Sequence, residues 1–296
     1  MFNLKGSIVA LVTPMDPDGE INWESLNDLI EWHISSNTSG LVVVGTTGES
    51  ATLDISEHVQ LIERSVDISN GRIEIIAGTG ANSTKEAIYL TSSAKSAGAN
   101  ASLLVTPYYN KPTQEGLYKH YMLIADEVNL PQILYNVPSR TGCDLHNSTV
   151  LRLVGHENIV GLKDATGDLN RVDQTLKKMG KDFIQLTGND DNALEFNKRG
   201  GVGTISVTAN IAPKLCSEFQ KNSTSKNDEN LAKAKELDDI LQPVHTAMFV
   251  ESNPSPVKYA AKLMNLCDDE VRLPLVKVTE ENKIIIKKAI ESAKLI

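Results

Sequence analysis

The sequence predicts an α/β protein, a TIM-type (β/α)8 barrel with a C-terminal helical extension, and three observations carry that expectation. Eight short runs rich in β-branched residues alternate with longer amphipathic stretches. The runs at 41–44 and 103–105 are almost continuously apolar, as expected of parallel strands that are buried on both faces and covered by helices. The 296 residues suffice for one barrel and a modest addition. A doubly wound sheet, the competing architecture, would carry fewer strands and a Gly-rich phosphate turn near its start, and the sequence has neither feature.

The first strand is expected at 7–13, followed by a helix in which Leu26, Leu29, Ile30 and Ile34 recur at three-to-four spacing. A second strand at 40–46 and a third at 73–79 lead to a helix over 84–97. The remaining strands are expected at 101–106, 131–135, 159–163, 183–187 and 203–207. Beyond about residue 225 the β pattern stops, and helices are expected over 230–250, 256–266 and 280–294. The polar stretch 221–229 has the composition of a hinge. A catalytic barrel domain is accordingly placed at 1–225 and a helical domain at 226–296.

With 41% hydrophobic and 23% charged residues, the composition is that of a soluble globular protein. A formal net charge of -9 repels nucleic acid and anionic lipid, so small-molecule chemistry is favoured over either partner. Cys143, Cys216 and Cys267 are widely spaced and odd in number, which fits a reducing compartment rather than a disulfide framework or structural zinc. No signal peptide is read at the start and no apolar run could span a bilayer, so a cytoplasmic location is expected.

Barrel enzymes place their chemistry at the C-terminal ends of the strands and in the loops beyond. Polar residues that close an apolar run are therefore the candidates: Thr46, Thr47, Tyr108, Tyr109, Tyr135, Arg140 and Lys163. Lys163 ends the run 159–162, where its stem would enter an apolar barrel; the alternative is a snorkelling lysine or one paired with Asp164. An ordinary lysine is less than about 0.1% neutral at pH 7, and only the neutral amine is a nucleophile. Burial can lower its pKa to ~7, at a cost to the ammonium of roughly 4.6 kcal/mol. An imine formed there would acidify the neighbouring carbon of a keto acid, and an acid/base group must then stand close.

Tyr135 ends the preceding strand and could fill that role, or could simply pack as an aromatic. Thr46 and Tyr109 could pass the proton outward. The segment 45–49 (GTTGE) offers small residues whose backbone N–H groups can approach a carboxylate, or forms an ordinary capped turn. Arg140 could hold a second carboxylate at two points, or face solvent. His33, His58, His120, His146, His156 and His245 lack ligand spacing, and no Walker lysine or Gly-x-Ser-x-Gly elbow is present. No metal or cofactor is called for.

Six segments carry a resemblance over nearly the whole chain: GTTGESATL (45–53), AGTGAN (77–82), VTPYYNKP (105–112), LYNVPSRTG (134–142), GLKDATG (161–167) and ISVTA (205–209). Together they resemble the dihydrodipicolinate synthase (4-hydroxy-tetrahydrodipicolinate synthase) family of class I pyruvate aldolases. The resemblance implies condensation of pyruvate with L-aspartate 4-semialdehyde, the committed step of lysine and diaminopimelate biosynthesis. It implies Lys163 as the Schiff-base residue and Tyr135 as acid/base. Thr46 and Tyr109 would complete a proton relay, with Tyr109 lent by the neighbouring subunit of a homotetramer built as a dimer of dimers. Thr47 would hold the pyruvate carboxylate and Arg140 the acceptor's, with Gly188 and the Ile205 carbonyl lining the pocket. An allosteric L-lysine site would comprise Ser50, Ala51, His58, Asn82, Glu86 and Tyr108; Ile55 stands where some lysine-inhibited relatives have histidine. Asp164 stands where many relatives have Glu and keeps the carboxylate. The other readings are an N-acetylneuraminate lyase or keto-deoxy-sugar aldolase of the same superfamily, and a non-catalytic lysine-sensing or scaffold barrel.

Overall fold

The computed structural model describes residues 2, 4–180 and 182–296. Eight parallel strands close into one barrel in chain order. They are β1 (Gly6–Ala10), β2 (Gly40–Val43), β3 (Glu74–Gly78), β4 (Ala101–Val105), β5 (Gln132–Asn136), β6 (Ile159–Asp164), β7 (Ile184–Thr187) and β8 (Gly203–Ser206). The ring closes where β8 pairs with β1, Ile205 opposite Ile8 and Ser206 opposite Val9. Every expected strand has its counterpart. Alternating residues of these strands, among them Ile8, Ala10, Val42, Leu103, Ile133, Tyr135, Leu186 and Ile205, fill the interior as a packed cluster.

β2 is shorter than the expected 40–46, and the reason is conformational. Val44 turns to φ 50°, a strained region for a β-branched residue, so Thr46 and Thr47 stand in the loop beyond the strand. Gly78 makes room for this turn, since a Cβ there would lie 2.4 Å from the Val44 carbonyl oxygen.

The barrel helices are α1 (Trp23–Ser35), α2 (Ile55–Ser69), α3 (Thr84–Ala97), α4 (Gln114–Glu127), α5 (Pro138–Thr141), α6 (Asn147–Leu153), α7 (Asn170–Met179), α8 (Ala193–Lys198) and α9 (Pro213–Ser223). Their starts follow from local chemistry. Asn22 accepts from the Ser25 N–H, Asp54 and Glu57 form a capping box on α2, and Ser83 and Thr113 cap α3 and α4. In α1 the apolar spacing buries Leu26, Leu29 and Ile30.

The extension consists of α10 (Asp228–Ala247), α11 (Ser255–Leu263) and α12 (Glu280–Ser292). The polar stretch at 221–229 holds a non-helical link at 224–227 between α9, which runs to Ser223, and α10, which begins at Asp228, where Asn227 caps it by accepting from the Glu229 N–H. Leu237, Leu241, Val257 and Ile286 of the extension share one apolar cluster with Val9, Leu41 and Leu61 of the barrel and its helices. Burying each such side chain stabilises the docking by about 1.5–3 kcal/mol. A polar bond reinforces it: Lys258 Nζ donates to Glu49 Oε1 at 2.6 Å, with both side chains fully buried. The Arg272 N–H donates to the other oxygen, Glu49 Oε2, at 3.0 Å. The loop after β2 is thus bolted to the extension. Among the described residues no helix is long and apolar enough to cross a membrane.

Candidate active site

The register of β5 and β6 sets Tyr135 opposite Lys163 at the C-terminal mouth of the barrel. Both side chains enter a cavity of about 470 Å³, also lined by Thr46, Thr47, Ser139, Arg140, Gly188 and Asn189. Lys163 Nζ lies 4.2 Å from the centre of the Tyr135 ring. Only 6% of Lys163 is exposed, and burial brings its amine down to about 7; nearby Asp190 opposes that shift and Arg140 adds to it. Near neutral pH a large fraction of the amine therefore carries a free lone pair.

Pairing of Lys163 with Asp164, one of the readings open from the sequence, is not what the structure has. Asp164 Oδ2 accepts from Arg171 Nε at 3.0 Å, and its Oδ1 accepts from the hydroxyl and N–H of Thr166. The neighbouring carboxylate is thus committed elsewhere. Gly188 has a steric function: a Cβ at that position would lie 2.8 Å from both Lys163 Cε and Ala165 Cβ. Tyr135 is buried, which raises its phenol pKa against the lowering influence of Arg140 and the Thr46 hydroxyl. It is therefore protonated at neutral pH and can donate.

Of the sequence-derived candidates, Thr46, Thr47, Tyr135, Arg140, Lys163 and Gly188 converge on this cavity. Ile205 does not line it with its side chain, which is fully buried in the interior cluster. Tyr109 is apart from its own chain's cavity and 89% exposed. It sits at φ 72° in a three-residue turn closed by the Asn110 N–H donating to the Tyr108 carbonyl at 2.8 Å. Such a turn is strained and rare, and here it presents an aromatic ring to the outside.

A second cavity of about 340 Å³ adjoins the first and shares Thr46, Ser50, Gly80, Arg140 and Asn253 with it. Ser50, Ala51, His58, Glu86 and Tyr108 line it, together with half-exposed Ile55. Asn82 is not on its wall; its Nδ2 donates to the Tyr108 carbonyl at 3.3 Å. His58 Nε2 bonds to the Gly78 carbonyl at 2.8 Å and so carries the proton, while burial keeps the ring neutral by lowering its pKa. Burial, and to a lesser extent the charge of Glu86, raises the pKa of the Tyr108 phenol.

The extension adds residues that sequence reasoning passed over. Phe249, Ser252 and Asn253 complete the wall of the first cavity, as does Asn189 beside Gly188. The only local signal at 251–254 is a turn-forming Ser-Asn-Pro sequence, which says nothing about what the turn faces.

A closed barrel in which a buried lysine, its amine lowered by burial to about 7, faces a phenol at the C-terminal mouth has the groups of an enzyme that works through an amine on a carbonyl compound. Residues 3–293 match the Dihydrodipicolinate synthetase family. The chain is 62% identical over 292 residues to the 4-hydroxy-tetrahydrodipicolinate synthase of Pelagibacter ubique, covering 99% of both. It superposes with a TM-score of 0.96 and 50% identity on a chloride-inhibited dihydrodipicolinate synthase from Acinetobacter baumannii complexed with pyruvate, covering 99% of this chain and 100% of that one. A dihydrodipicolinate synthase from Cyanidioschyzon merolae with lysine bound is 32% identical, with a TM-score of 0.95 and 99% of each chain covered. The chain belongs to the dihydrodipicolinate synthetase family. Its activity is that of a lyase of the 4-hydroxy-tetrahydrodipicolinate synthase type.

Proposed function

We propose that the protein condenses pyruvate with L-aspartate 4-semialdehyde through a Schiff base on Lys163, in lysine and diaminopimelate biosynthesis in the cytoplasm. The observation that carries this reading is the buried amine of Lys163, held near 7 and facing Tyr135. The neutral amine attacks the keto carbon of pyruvate, and the resulting carbinolamine loses its oxygen as water. The iminium withdraws electrons, so a methyl proton leaves and the enamine carbon bonds to the aldehyde carbon, whose oxygen takes up a proton; attack of the acceptor's own amine on the re-formed iminium carbon then breaks that carbon's bond to the Lys163 nitrogen and frees the amine. Tyr135 is the group that gives and takes these protons, with Thr46 next in the relay. Thr47 holds the pyruvate carboxylate, and Arg140, on one wall of the cavity, fits the carboxylate of the second substrate. Gly188 and the Ile205 carbonyl complete the pocket. No step requires a metal or cofactor.

Tyr109 supplies the outer end of the relay to a neighbouring subunit, so the working unit is at least a dimer, paired further into a homotetramer. Its outward display on a strained turn supports this arrangement. The second cavity is proposed to take L-lysine as a feedback inhibitor, with Glu86 toward its ammonium and Asn82 and Tyr108 at the rim. The lysine-bound Cyanidioschyzon merolae relative supports that assignment.

Turnover is tested by coupling product formation to the downstream reductase and following loss of NADPH absorbance, beside sugar aldehydes as acceptors. Turnover with aspartate semialdehyde alone is expected. Turnover with a sugar alone would reassign Arg140, and none with any acceptor would leave a non-catalytic barrel. Activity unchanged at millimolar L-lysine would remove the inhibitor site.

A further inference from the structure

We infer that Asn253, in the extension, is a positioning residue that fixes the Thr47 hydroxyl as a hydrogen-bond donor toward the substrate carboxylate. The inference rests on the reading that Thr47 holds the carboxylate of pyruvate, and it explains how a neutral hydroxyl is made to do so. Asn253 Nδ2 donates to Thr47 Oγ1 at 2.9 Å, and both residues are buried in the wall of the cavity that holds Lys163. An amide nitrogen has only hydrogens to offer, so the hydroxyl oxygen must be the acceptor. With a lone pair engaged from behind, the single hydroxyl hydrogen is left for a partner on another side. An anion is the partner that such a donor suits.

Two features separate this from ordinary packing. Among the described residues Asn253 Oδ1 is buried with no hydrogen-bond partner, and the bond to Thr47 is the side chain's only one. Leaving an acceptor buried and unpaired is unfavourable, and an apolar side chain would avoid it. The geometry is also held from outside. Lys258, in the first turns of the helix that follows Asn253, bonds to Glu49, which in turn accepts from the Arg272 N–H. These anchors fix the 253 segment against the loop that carries Thr47.

The test measures the pyruvate concentration that half-saturates the borohydride-trapped adduct, read by intact mass, together with kcat and KM. Asn253→Ala should raise the half-saturating concentration and the KM for pyruvate about tenfold, with kcat at saturation changed by less than about twofold. Asn253→Asp keeps the shape but accepts the hydroxyl hydrogen and adds a negative charge, so saturation should be lost or move by about a hundredfold or more. In a Thr47→Ala background, Asn253→Ala should have no further effect, because the two residues act as one unit. Wild-type half-saturation in Asn253→Ala overturns the inference. So does an equal loss with and without Thr47, which would mark a structural contribution. If Asn253→Ala does not fold by circular dichroism, Asn253→Asp decides alone, and unchanged saturation there is fatal. Absence of any adduct in the wild-type protein is a different result: it removes the Schiff-base reading itself.

Discussion

A lysine whose amine is held near 7 in the folded protein, against an ordinary 10.5, is a reactive group maintained at the expense of stability. Between those two pH values the unfolded chain binds the extra proton, so stability should rise with pH across that window. Below about 7 both states are charged and the full penalty of the buried ammonium applies. Lys163→Met should therefore abolish adduct formation and stabilise the protein at pH 7 by roughly 2–4 kcal/mol, measured by denaturant unfolding. The gain over wild type should shrink as pH rises toward 10; a variant less stable than wild type at pH 7 would contradict the account. Gly188 makes a complementary prediction, because a Cβ there would lie 2.8 Å from Lys163 Cε. Gly188→Ala should displace the lysine stem and slow adduct formation about 100-fold while costing about 1–3 kcal/mol in stability. A wild-type trapping rate would show that the stem can move aside freely.

The loop after β2 shows what an element can carry that its own sequence does not disclose. Glu49 and Lys258 are both without exposed side-chain surface, and they join segments 209 positions apart. Among the described residues Lys258→Met would leave the buried Glu49 carboxylate with the Arg272 N–H as its one hydrogen-bond donor, and should cost about 3–5 kcal/mol by equilibrium unfolding. Adding Glu49→Gln should recover a large part of that loss, whereas additive losses would mean that the two do not form a pair. The strands themselves were legible, because β2 and β4 are buried on both faces and their apolar runs say so. Lys163, Tyr135 and Arg140 were legible for a related reason: each is a polar residue ending or following such a run. Three things were not. The end of β2 depends on Val44 entering a backbone region that its side chain resists, made possible by a glycine on the next strand. The link between barrel and extension falls inside the expected 221–229, but its narrower bounds, 224–227, were not legible from composition, because α9 and α10 extend into both ends of that stretch. Asn253 reaches Thr47 across 206 positions, and only the folded chain brings them together.

At the scale of the whole molecule, one chain holds Lys163, Tyr135 and Thr46 around a cavity but turns Tyr109 away from it. Tyr109 is 89% exposed on a strained turn and lines neither of the two cavities, and strain of this kind persists where the surroundings require it. If the ring completes the site of a second copy, two inactive variants should repair each other. A subunit with Lys163→Ala still lends an intact Tyr109, and a subunit with Tyr109→Phe still has its lysine. Their heterodimer contains one site with both residues and one with neither. Random re-pairing of equal amounts should then restore roughly a quarter of wild-type activity, since half of the dimers are mixed and each has one working site. Each variant alone should stay near background, and restored activity should appear at the rate of subunit exchange, followed by native mass spectrometry of isotope-labelled copies. Exchange without recovery would return Tyr109 to its own chain and leave the proton relay to end at Thr46. Recovery would mean that the barrel is a complete fold but half of a catalyst, with its oligomeric state a condition of the chemistry.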